Sequence, residues 1–140
     1  MPRLQGKIDF DGAIITVRIE LGATGEAFLH AAGRPIPPPF PTTALIDPGA
    51  THTAVHPMII DHLGAPQTGR GWMGVPGEPA SRVQFHDVRV TLGTYRHPFD
   101  DQVEKVVPGT PSVAVLIGRD ILKQGTLLLD CENETFSFWF

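Results

Sequence analysis

Proline and glycine punctuate this chain so densely that long helices have almost nowhere to run. With 14 prolines and 15 glycines among 140 residues, a helical bundle is excluded and a turn-rich β protein is indicated. Between the breaks the apolar residues alternate. Ile15, Val17, Ile19 and Leu21 are interleaved with Thr16, Arg18 and Glu20, which describes a strand buried on one face. Asp11-Gly12 ahead of it signals a tight turn that would pair residues 7–10 with this strand. Val83 and Phe85 are out of phase with Val88, Val90 and Leu92, so a bulge or bend is expected at His86-Asp87. Residues 113–117 are apolar on both faces, as in a central strand. Residues 118–125 have room for two helical turns closed by Gly125, and residues 55–63 fit a short strand or a helical turn. Residues 127–129 and Phe136, Phe138 and Phe140 complete the pattern as two last strands. The expected architecture is all-β, one domain over residues 1–140, with one short helix near the C-terminal end.

The connecting segments and the charge balance narrow the function. Residues 33–41 carry five prolines and read as an exposed extended loop. Residues 69–79 hold four glycines and two prolines around Trp72, Met73 and Val75, a loop or hairpin with an apolar tip. The net charge of −4 argues against nucleic acid as a partner, because phosphate binding needs clustered cations. No apolar run has the roughly 18 residues needed to span a bilayer, so no membrane association is expected. The residues after Met1 lack the apolar core of a signal peptide, and the single Cys131 allows no intrachain disulfide. A cytoplasmic location is expected. Phe136, Phe138, Trp139 and Phe140 would be an aggregation hazard at a bare sheet edge, so they are expected in a core or a dimer sheet.

Two strand-to-turn junctions carry the chemistry. Leu45-Ile46-Asp47-Pro48-Gly49-Ala50-Thr51 places a carboxylate where an apolar strand enters a glycine turn. The second junction, Leu116-Ile117-Gly118-Arg119-Asp120, follows with Gly118 placed 71 residues after Asp47. The pair, in this order and around a glycine-rich segment, resembles the retropepsin-like family of single-domain aspartic peptidases. The resemblance runs from the Ile15 strand to Phe140. It implies an acid-protease barrel acting as a two-fold homodimer on peptide or protein substrates, without a metal or an organic cofactor. It implies Asp47 as the catalytic carboxylate and Gly49 and Ala50 as substrate-backbone contacts. It further implies Trp72, Met73 and Gly74 in a flap over residues 69–79, and Arg119 as a structural brace.

The chemistry of such a site requires two carboxylates about 3 Å apart that share one proton, so that one activates water while the other polarises the scissile carbonyl. Asp47 lies in the one loop of this kind, so a working site needs Asp47 from two chains on a two-fold axis. One departure from the family pattern stands out. Pro48 occupies the position of a Thr or Ser that bonds across the dimer axis, and proline supplies neither the hydroxyl nor the N–H. That favours an alternative reading: a catalytically impaired dimerisation or peptide-binding module. Taken by itself, Asp47-Pro48-Gly49 also fits an ordinary turn. Histidines supply the competing chemistry, since His52, His56 and His62 fall within eleven residues. A zinc site would need all three to converge, whereas Thr51, Thr53 and Val55 favour extended chain that spreads them apart. No metal site is expected.

Overall fold

The computed structural model describes residues 1–74, 76–108 and 112–140. In chain order the elements are β1 (Arg3–Asp9), β2 (Gly12–Leu21), α1 (Ala23–Ala31), β3 (Phe40–Ile46), β4 (Ala54–Val55), α2 (Pro57–Leu63) and β5 (Gln67–Met73). They continue with β6 (Ser81–Leu92), β7 (Phe99–Lys105), β8 (Val115–Ile117), α3 (Arg119–Leu122), β9 (Thr126–Asp130) and β10 (Thr135–Trp139).

Strand β2 organises the sheet because it is long enough to serve three partners. Its first residues pair with β1, its middle with β3 and its end with β6. The β2–β6 pairing closes the series β6-β7-β4-β8-β3-β2 into a six-stranded barrel. Inside lie Val17, Ile19, Leu21, Val88, Val90, Leu92, Val115 and Ile117, each at most 2% exposed. Outside the barrel, β1, β10 and β9 extend the sheet on one side and β5 on the other. Two of the pairings are parallel, β3 with β8 and β4 with β7, and these bring the ends of β3, β4 and β8 together.

The helical content corrects the sequence reading. Among the described residues there are three helices rather than one. Helix α2 forms because His56 caps it, its Nδ1 accepting from Met58 N at 3.1 Å, and because Gly64 ends it at φ 67°. Helix α1 lies against β6 and β2 through a narrow seam, with Gly25 buried and Phe28 left exposed, so its sequence has no broad apolar face. Strand β6 also departs from expectation. Its register with β7 is continuous from Phe85 to Val90, and the irregularity lies in the partner strand between Gln67 and Gly69. Val83 and Phe85 simply occupy the face opposite Val88 and Val90. The central strand is shorter than residues 113–117, starting at Val115. Val75, placed by sequence in the apolar tip, lies outside the described residues.

The aromatic C-terminus is placed as its composition demands. Phe136 and Phe138 are buried, and Phe140 meets Tyr95 edge-on at 4.8 Å. Among the described residues no helix is long and apolar enough to cross a membrane. Phe138 is fully buried, so Phe138→Ala should lower unfolding free energy by about 3–5 kcal/mol in urea titration. A loss below about 1 kcal/mol would show that this end of the sheet is not part of the cooperative core.

Candidate active site

Asp47 follows directly on the buried end of β3, where the chain must leave the barrel. Its N–H donates to Ile117 O at 2.9 Å, which continues the β3–β8 ladder by one bond. The next residues form a turn, with Ala50 N donating to Asp47 O at 3.1 Å across Pro48 and Gly49. Within it the Asp47 carboxylate accepts from Gly49 N at 2.9 Å. A Cβ on Gly49 would stand 3.1 Å from that same Oδ1, so a side chain here would crowd the carboxylate. The ordinary turn and the acid loop are therefore one object.

Helix α3 holds the turn from outside the barrel. The Arg119 guanidinium donates to Pro48 O at 2.8 Å, to Gly49 O at 3.2 Å and to Thr51 Oγ1 at 3.1 Å, while its backbone N–H donates to Ala50 O at 2.9 Å. Asp120 takes the following segment. Its carboxylate accepts from Thr53 N at 2.8 Å and from Thr53 Oγ1 at 2.7 Å. Thr53 is fully buried, and its hydroxyl in turn accepts from Gly118 N at 3.1 Å. Gly118 must be glycine because an added Cβ would lie 2.5 Å from the His52 carbonyl carbon. Arg119 and Asp120 thus brace two different segments and do not pair with each other.

A cleft of about 430 Å³ opens beside this loop. It contains Gly49, Ala50, Trp72, Met73 and Gly74 from the predicted site, together with His52, Glu104, Val106, Val107 and Leu116. Asp47 adjoins it through Gly49 rather than forming its wall. Hairpin β5–β6 supplies the far side, with Trp72 67% exposed and Arg82 stacked 5.4 Å from its ring. Glu104 is the residue that sequence reasoning missed. It reaches the cleft through the parallel β4–β7 pairing opposite Ala54, a contact between segments 50 residues apart that no local pattern announces.

The three weighed histidines serve separate partners. His52 Nδ1 lies 3.2 Å from Glu104 Oε1, His56 caps α2, and His62 meets Phe40 edge-on at 5.3 Å. Among the described residues no group of three or more metal-ligating side chains converges.

The sequence matches no family model and no curated protein. Among solved structures, the fold superposes on a retropepsin-like aspartic protease from Rickettsia conorii with a TM-score of 0.58 and 11% identity, covering 98% of this chain and 90% of that one. The fold is retropepsin-like. A retroviral protease-like domain of Ddi1 from Leishmania major aligns with a TM-score of 0.44 and 16% identity, covering 91% of this chain and 95% of that one.

Behind the Asp47 loop of this retropepsin-like barrel sits a pair of carboxyl groups, Asp101 and Asp120. Burial, followed by the neighbouring Asp120 carboxylate, pushes the Asp101 carboxyl from the usual 3.8 up to about 7, against a smaller pull from Gln102 N–H. Asp101 Oδ2 is sealed from solvent and no donor among the described residues reaches it, which suits a protonated acid. Because the folded state holds this proton to higher pH than the unfolded chain, the contribution of Asp101 to stability should fall as pH rises from about 4 to about 7 and level off above. Replacing Asp101 by Asn should remove that part of the slope in denaturant titrations across this range. An unchanged slope would show that Asp101 is already ionised in the fold.

Proposed function

We propose that the protein is an aspartic endopeptidase that works as a homodimer, with Asp47 of each chain meeting on the two-fold axis. The observation that carries this reading is the Asp47 carboxylate at the exit of β3, on a turn clamped by α3 and beside a cleft covered by a hairpin. Two such carboxylates share one proton. The ionised one draws a proton from water as the water oxygen attacks the peptide carbonyl, while the protonated one gives its proton to the carbonyl oxygen. The gem-diol then collapses, its hydroxyl returning a proton to that carboxylate, and the C–N bond breaks as the other carboxyl hands its proton to the leaving amine. Residues 69–79 act as the flap, with Trp72, Met73 and Gly74 closing over an extended peptide. Gly49 and Ala50 line the floor, and the Gly49 carbonyl keeps a second lone pair for substrate beside its bond to Arg119. The single, exposed Cys131 suits a reducing cytoplasm.

Pro48 supports the second reading, a dimerising or peptide-binding module with weakened catalysis. It is exposed on the turn, and its carbonyl is turned to Arg119. It offers a partner neither an N–H nor a hydroxyl, and each such missing bond costs on the order of 1 kcal/mol, twice over by symmetry. The dyad then rests on looser contacts, and a displacement of about 1 Å is enough to cut the rate about a hundredfold.

Two variants separate these readings. Asp47→Asn should abolish cleavage of a denatured protein substrate between about pH 4 and 7, a loss of at least about a hundredfold. Equal cleavage by both proteins would exclude Asp47 as the catalytic group. Pro48→Thr should tighten dimerisation at least about tenfold in sedimentation equilibrium and raise the specific activity. If neither moves, the turn does not lie at the dimer axis.

A further inference from the structure

The cleft beside Asp47 is walled mainly by apolar groups, yet a carboxylate stands in it. Glu104 belongs to β7 and its side chain is 11% exposed. Such burial is costly for an ion without a partner. Among the described residues the only partner of its carboxylate is His52, 3.2 Å from Oε1, and Oε2 stays open to an incoming donor. The cations nearby are occupied elsewhere. Lys105 pairs with Asp61 at 2.7 Å, Arg82 lies over Trp72, and Arg119 holds the Asp47 turn. Asp120 adds like charge to Glu104 from behind. His52 is the movable member, its side chain 42% exposed and resting edge-on against Phe85 at 5.1 Å.

We propose that Glu104, screened by His52, is the specificity determinant of this cleft and takes the ammonium or guanidinium head of a lysine or arginine side chain in an extended peptide. Val106, Val107 and Leu116 suit the methylene stem of such a side chain, and the carboxylate meets its charged end. The overall charge of −4 draws a basic peptide in the same direction. The substrate's being a peptide rests on the peptidase reading above; the preference for a cation rests on Glu104.

The test walks a single lysine along a neutral peptide and compares each peptide with its norleucine twin. At one position the wild-type protein should favour lysine at least about tenfold in kcat/KM, and Glu104→Gln should bring that ratio close to one. A ratio near one at every position, or a preference that survives Glu104→Gln, would overturn the assignment while leaving the peptidase reading intact. If the wild type cuts none of the peptides, the peptidase reading fails separately. The pocket is then read on the wild-type protein by NMR, titrating Nα-acetyl-lysine amide or its norleucine analogue at about pH 6.5. A shift of the His52 imidazole resonances with the lysine compound alone supports the assignment. Equal responses, or none, would contradict it.

Discussion

The site depends on three residues of α3 and its cap. Gly118, Arg119 and Asp120 grip the chain from Pro48 to Thr53, so the position of Asp47 is set by a helix that contributes nothing to the cleft wall. The grip works because each group lacks a better partner. Arg119 presents a planar fork to two carbonyls and a hydroxyl, which a lysine could not match. Thr53 is buried, so its hydroxyl and N–H must be satisfied, and Asp120 satisfies both. The parallel pairing of β3 with β8 brings this clamp to the turn, since both strands end at the same level.

The turn itself resolves an apparent choice. Pro48 and Gly49 make an ordinary reverse turn, and that turn is what projects the Asp47 carboxylate beside the cleft. What proline removes is not the shape but the donors with which a second copy would be held. For the proposed dimer, the weakness therefore lies in assembly rather than in the geometry of one chain.

The strands were legible where burial alternates, as along β2, and where an apolar run meets a glycine turn, as at Asp47 and Gly118. The pairing of β5 with β6, beside the segment read as a loop or hairpin, was legible for the same reason, through the glycines. Helix α1 was not, because Gly25 is buried for close packing while Phe28 faces solvent, which blurs the helical period. The bulge was traced to the wrong strand, because the phase change seen in β6 does not reveal an extra residue in β5. Glu104 was invisible for a deeper reason. Its role arises from the β4–β7 pairing and from burial, and sequence spacing encodes neither. Arg119 and Asp120 are neighbours in sequence, yet the backbone directs them to opposite partners.

That one active centre is built from Asp47 of two chains is the claim on which the account stands. Subunit mixing tests it most directly. Wild-type protein is held at fixed concentration, equilibrated with increasing Asp47→Asn chains, and assayed for cleavage. If the two carboxylates form one centre and the chains are dimeric at this concentration, inactive chains capture active ones and the rate falls in direct proportion to the wild-type fraction. A rate that stays constant as inactive chains are added would show that each chain acts alone, and the shared dyad would be wrong.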